Sequence, residues 1–358
     1  MRRRDFLLAL ASLPAVRSVQ AQAVDFERAV PGRRLAFPAD HGAHPDFRTE
    51  WWYATGWLTL PDGSPLGFQS TFFRVRTGIG EDSESAFAPR QLILAHAALA
   101  DPVLGRLRHD ERAARVGFGL AGFATGETGA WIGDWRFGQR AGRYHAEVRS
   151  KDFAYALNLV PDGPPLLNGE AGFSVKARDR RHASHYYSRP QLAVDGSVTE
   201  NGMSHEVTGR AWLDHEWSSE LLPAGAQGWD WIGINLDDGS ALMAFRLRDA
   251  DHGTLWSAAS IRHADGGSET LPAEAVAFEP LRHWRSPRTG ITYPVEWRVR
   301  LGRRDLLLRP LMDDQELDSR RSTGAIYWEG AIRVSEGGQE VGRGYLEMTG
   351  YGERIRLG

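Results

Sequence analysis

Four stretches of this 358-residue chain bring together side chains that could do chemistry. In Asp214-His215-Glu216-Trp217-Ser218-Ser219, three titratable groups stand in succession beside Trp212 and Trp217. If the segment is a strand, alternation sends Asp214 and Glu216 to one face and His215 and Trp217 to the other. The second stretch, His44 to Tyr53, sets Glu50 beside Trp51, Trp52 and Tyr53. A carboxyl among rings sits in low dielectric, which raises its pKa toward that of a useful general acid. The same residues could equally plug a barrel, with Arg48 pairing Glu50 and the tryptophans filling core. In the third, Trp229-Asp230-Trp231, ring faces around a carboxylate suit an apolar or cationic guest, or a packed barrel end. The fourth, Arg181 to Ser188, offers His182 and His185. Two imidazoles could begin a zinc site, but no spacing supplies a third ligand, so a solvated loop pair is expected and no metal.

Several chemistries are excluded by what the chain lacks. With no cysteine there is no thiolate nucleophile, thiolate metal site or iron–sulfur cluster. His215-Glu216 is followed by Trp217-Ser218-Ser219, so HExxH is absent, and no GxSxG elbow or P-loop occurs. Gly117 to Gly122 has glycine spacing without a following helix and is no nucleotide signal. No cofactor is expected. A net charge of −3 argues against nucleic acid as a partner, because phosphate binding needs a concentrated basic excess.

The elements that must carry these residues read as strands. Forty glycines and 13 tryptophans favour hairpins over long helices. Trp51 to Leu60, a turn at Pro61-Asp62-Gly63-Ser64 and a return from Leu66 to Val75 make one hairpin. Trp229 to Leu236, Asp237-Asp238-Gly239-Ser240 and Ala241 to Arg246 repeat the design, and both returns end in Phe-Arg. Tyr144 and Pro161 are echoed by Tyr293 and Pro310. Gly209-Arg210-Ala211-Trp212-Leu213-Asp214 is echoed by Gly342-Arg343-Gly344-Tyr345-Leu346-Glu347. Four echoes in one order predict a duplicated antiparallel unit, with domains over 24–205 and 206–358. The fold class is all-β, with each unit able to close into a barrel that holds one small ligand. One short helix is expected near Gln315 to Arg321.

Arg2-Arg3-Arg4, an apolar run from Phe6 to Val16 and Ala21-Gln22-Ala23 read as a signal peptide over residues 1–23, with a twin-arginine pattern. A periplasmic or secreted location follows as an expectation. No apolar run is long enough to span a bilayer, so a membrane-spanning protein is not expected.

Arg48-Thr49-Glu50-Trp51-Trp52-Tyr53, Asp214-His215-Glu216-Trp217 and Trp328-Glu329-Gly330-Ala331 together resemble the carotenoid 1,2-hydratase family, in particular its AttH-like secreted members. The resemblance spans nearly the whole chain after the leader. It implies two lipocalin-like β-barrel domains side by side and a small apolar ligand, isoprenoid or acyl-chain. The hydratases' His-x-Trp is met by His215-Glu216-Trp217; their later Tyr-x-Asp is not, since Leu242-Met243-Ala244 stands there. Three readings stay open: a cofactor-free hydratase or hydrolase, a lipophilic-ligand carrier partnered with an export system, and a structural or scaffolding protein with both barrels filled by side chains. Under the first, Asp214 or Glu50 is the acid, His215 handles water and Trp217 faces the cation. Trp51, Trp52, Tyr53, Trp229, Asp230 and Trp231 then form the ligand-binding wall. An ester hydrolase would instead need Ser218 or Ser219 beside His215.

Overall fold

The computed structural model describes residues 24–355; the expected leader at 1–23 lies outside them. Local sequence dictates hairpins throughout. In the first, Asp62 accepts the Ser64 amide at 2.9 Å and Gly63 takes φ +86°, a left-handed turn that glycine adopts without strain. Asp238, Gly239 (φ +88°) and Ser240 build the same turn in the second half.

The first sheet begins with β1 (Thr49–Thr59), β2 (Pro65–Arg76), β3 (Gln91–Asp101) and β4 (Arg106–Arg115). It continues through β5 (Ala121–Phe123), β6 (Gly129–Ile132), β7 (Trp135–Arg140), β8 (Arg143–Arg149) and β9 (Phe153–Val160). The short β10 (Leu166–Leu167) and β11 (Phe173–Val175) precede two long strands, β12 (Ala183–Glu200) and β13 (Met203–Glu220). The second sheet holds β14 (Gly228–Leu236), β15 (Ala241–Arg248), β16 (Thr254–Arg262), β17 (Ser268–Leu271) and β18 (Val276–Arg285). It ends with β19 (Thr292–Leu301), β20 (Arg304–Pro310), β21 (Glu316–Ser319), β22 (Ala325–Glu336) and β23 (Gln339–Met348).

All pairings are antiparallel, and the fold is all-β as expected. The order β4-β3-β2-β1-β13-β12-β9-β8-β7 of the first sheet is matched by β17-β16-β15-β14-β23-β22-β20-β19-β18 in the second; the first adds β6 and β5. Registers match as well. Tyr53 faces Asp214 and Thr71 where Trp231 faces Glu347 and Phe245. The hairpin and Gly-Arg echoes are therefore structural equivalences. The Tyr144 and Tyr293 echo is looser, because one turn follows Arg149 and the other Leu301, at different distances from the tyrosine.

The first sheet curls until Arg112 of β4 bonds the Ile132 carbonyl on β6 at 3.1 Å, a nearly closed barrel around Trp52, Phe72, Trp135 and Tyr144. The second wraps its own core of Tyr293, Trp297 and Trp328. A third apolar cluster, including Tyr53, Trp57, Trp212, Trp231, Phe245 and Tyr345, lies between the sheets. Burying each such ring contributes about 2–3 kcal/mol.

Two expectations are corrected. The boundary expected at 205/206 falls inside β13, which pairs with β1 from Thr208 to Ser218; the chain passes to the second sheet at 221–227. The helix expected near Gln315 to Arg321 is the strand β21, recruited by the free edge of β22 and anchored by buried Leu317. Among the described residues no helix is long and apolar enough to cross a membrane.

Candidate active site

Strand β13 divides the cluster that the sequence places together. Asp214 and Glu216 point toward the second sheet, whereas His215 and Trp217 point into the first barrel. Between the sheets lies a cavity of about 280 Å³. Its aromatic wall includes Trp51, Tyr53, Trp229, Trp231, Phe245 and Tyr327, and its polar groups include Asp214, Glu216, Glu329, Glu347 and Lys176.

Asp214 is fixed by three donors: Ser188 Oγ at 2.6 Å, Trp212 Nε1 at 2.7 Å and Tyr186 Oη at 2.8 Å. Trp231 Nε1 in turn donates to Tyr186 Oη at 3.0 Å, so the second sheet orients the phenol that holds the first sheet's acid. Burial raises the Asp214 pKa to about 7; the three hydrogen bonds hold it back and Glu216 adds to the rise. Glu216 pairs with Lys176 at 2.9 Å, and that ammonium stands 4.1 Å from the Phe245 ring centre. Across the cavity, Glu329 and Glu347 are direct cross-strand partners on β22 and β23. Burial, then mutual repulsion, holds Glu329 well above the usual carboxyl range; burial raises Glu347 to about 8.

On the opposite face of β1 and β13, Glu50 is fully buried in a closed network. Its Oε1 accepts from His44 Nδ1 at 2.7 Å and His215 Nε2 at 2.9 Å, and its Oε2 from Arg74 Nε and the His44 amide, both at 2.8 Å. Burial opposes its charge, yet the Arg74 guanidinium and the two histidines hold it well below the usual range. Glu50 is therefore a carboxylate, not the acid. His44 also donates Nε2–H to Asp40 at 3.0 Å, and these two carboxylates outweigh burial and raise its pKa. It stacks on Trp217 with centroids 3.7 Å apart. His215 Nδ1 meets Tyr187 Oη at 3.1 Å, and its ring stacks on Trp52.

His44, Glu50 and His215 are the one group among the described residues with ligand atoms close enough for a metal, within 4.8 Å of one another. They fit one poorly. Both imidazoles spend protons on Glu50, whose other oxygen holds Arg74, and the guanidinium opposes a second cation.

The expected site is thus corrected in three respects. Asp214 lines the cavity with Trp51, Tyr53, Trp229 and Trp231, but His215, Trp217 and Trp52 lie behind the sheet. Glu50 borders the cavity while bonding on the far side. Asp230 is a structural anion, 2.7 Å from Arg246 Nε and 2.9 Å from Arg248 Nε, inside the second sheet. The alternation stated from sequence is what separates these groups. Ser218 and Ser219 bond the carbonyls of Ala183 and Glu27, and neither reaches His215. The His182–His185 pair is no solvated loop. His185 is buried on β12 with both ring nitrogens unpartnered, and His182 is held by Asp179. Sequence reasoning missed Glu329 and Glu347 as site residues. The Gly-Arg echo was the available signal, since it pairs Glu347 with Asp214.

The AttH-like family model matches residues 28–351. The chain belongs to the AttH-like family. A crystal structure presented as an AttH from Nitrosomonas europaea is 49% identical, covers 91% of this chain and all of its own, and superposes with a TM-score of 0.86. Kievitone hydratase from Nectria haematococca shares the fold at TM-score 0.68 and 14% identity, covering 92% of this chain and 96% of its own. CghA with Sch210972 shares it at 0.53 and 13% identity, covering 87% and 89%. Among curated proteins the sequence has no match.

Proposed function

We propose that this AttH-like protein is an acid–base hydratase for an apolar, unsaturated ligand, isoprenoid or acyl-chain, held between its two sheets. The observation that carries the reading is Asp214: a buried carboxyl raised to about 7, bound by three donors and facing an aromatic cavity. Protonated Asp214 gives its proton to an alkene carbon, and the developing cation faces Trp51, Trp229 and Trp231. Water adds to the cation, and the proton it loses restores the acid. One hydrogen and one hydroxyl are thereby added across the double bond. The hydratase among the fold neighbours supports this reading, and the engaged Ser218 and Ser219 weigh against ester hydrolysis by a serine. We also propose that the protein acts outside the cytoplasm after loss of residues 1–23, as the arginines, apolar run and Ala21-Gln22-Ala23 support.

Incubation with isoprenoid alkenes and unsaturated fatty acids in ¹⁸O-water tests the function. A product heavier by one labelled water is expected, with loss of about 10²-fold or more in Asp214→Asn. Ligand bound without any labelled product in the parent protein would indicate a carrier instead.

A further inference from the structure

Among the described residues, the buried carboxyls follow a rule that only the cavity breaks. Asp40 has Arg33 at 3.0 Å, Glu50 has Arg74 at 2.8 Å, Glu216 has Lys176 at 2.9 Å and Asp230 has Arg246 at 2.7 Å. Glu200 pairs with Arg108, and Glu316 has Arg288 at 3.6 Å. Among the described residues, buried Asp214 and Glu329 have no ion-pair partner, nor does half-buried Glu347. All three face the same cavity.

Glu329 is the decisive member. It is 3% exposed, lies on the cavity wall, and its Oε2 has no hydrogen-bond partner. Its cross-strand partner is a second carboxyl, Glu347, an arrangement that destabilises a strand pair when both are charged. The groups around the pair are Tyr53 on β1, Asp214 and Glu216 on β13, Trp229 on β14, Tyr327 on β22 and Tyr345 on β23; none is a cation. The cations on the cavity wall, Lys176 and Arg74, are already held by Glu216 and Glu50. Aromatic faces beside uncompensated carboxyls select positive charge on an apolar body: rings attract a weakly hydrated organic cation, whereas a bare metal ion would exchange water for ring edges at a loss.

We propose that the cavity takes a lipophilic ligand bearing an ammonium group, with Glu329 and Glu347 as its counter-ions. This rests on the cavity being the ligand site, as read above. Without the guest the two carboxyls hold protons, since burial raises both. A cation therefore displaces a proton on entry, and its affinity rises with pH through about 8, the Glu347 value.

The test uses decyltrimethylammonium, decanol and decanoate as probes. Binding is followed by tryptophan fluorescence, and proton release by calorimetry in two buffers of different ionisation enthalpy. The ammonium should bind at least about tenfold more tightly than decanol, with decanoate weakest, and release a proton at pH near 7. Glu329→Gln/Glu347→Gln should abolish the preference while melting no lower than the parent. Equal or tighter binding of decanol, no binding of any probe, displacement of the ammonium by calcium ions, or a preference that survives the double substitution would each overturn the proposal. Decanol binding alone would leave the hydratase reading standing. Ammonium preference without labelled product from any alkene would do the reverse.

Discussion

At the scale of single residues, the same functional group has opposite fates on adjacent strands. Glu50 and Asp214 are both buried carboxyls on adjacent strands, yet one is held ionised by Arg74 and the other is raised to about 7. The difference lies in which face the backbone turns them to. Removing the cation should expose this. Arg74→Met leaves Glu50 buried without its guanidinium and should cost about 3–5 kcal/mol in urea unfolding. An unchanged midpoint would show that the network is not holding the barrel. The Glu329 and Glu347 pair makes a pH prediction. Both folded values lie above the ordinary glutamate value of 4.5, so between 4.5 and about 8 the folded state keeps protons that the unfolded chain has lost. Their contribution to stability therefore falls as pH rises through that window. His44 acts in the same direction, since a raised histidine stabilises below its unfolded value and ceases to as pH rises through its folded one. Glu329→Gln/Glu347→Gln should make the decline of the urea midpoint between pH 5 and 8 shallower than in the parent, with the Asp214 and His44 shares remaining. A parallel decline in both proteins would contradict the assignment. The split of Asp214 from His215 was legible in the sequence, because strand alternation alone sends neighbours to opposite faces. The pairing of Glu50 with Arg74, 24 residues away, was not, because it depends on a cross-strand register.

At the scale of elements, the duplication explains why glycine recurs at matched points. A Cβ on Gly209 would overlap the Trp57 carbonyl, and one on Gly342 would reach the Asn235 carbonyl at 2.5 Å. Each lies where β13 pairs with β1 or β23 with β14, and backbone cannot yield as a side chain can. Gly209→Ala should therefore cost more than about 3 kcal/mol or prevent soluble expression, against about 1 kcal/mol for Gly63→Ala in an open turn with left-handed φ. Equal effects at the two sites would refute the packing argument. The strands were legible from alternation and Asp-Gly turns. The stretch from Gln315 to Arg321 was misread as helix because its strand character comes only from the edge of β22. The boundary near 205 was also misjudged, although the echo contained the answer. Gly209 to Asp214 matches the last strand of the chain, so it closes the first sheet instead of opening the second.

At the scale of the whole molecule, the two sheets share one apolar seam, and the chemistry sits in it. Trp57 of β1 donates its Nε1 to the Gly344 carbonyl of β23 at 3.0 Å, and Trp231 of β14 donates to Tyr186 of β12. Such a seam should make unfolding a single event, with tryptophan fluorescence and far-ultraviolet circular dichroism giving coincident urea transitions. Two separated transitions would mean that each sheet is stable without the other. The proposed chemistry depends on one carboxyl, Asp214, that stays protonated near neutrality while facing that seam. Carbon-13 NMR of protein labelled at aspartate side-chain carboxyls, with the Asp214 signal assigned by its loss in Asp214→Asn, measures this directly. A titration midpoint near 7 is predicted. A midpoint at or below the ordinary aspartate value of 3.8 would contradict Asp214 as the acid and, with it, the site between the sheets.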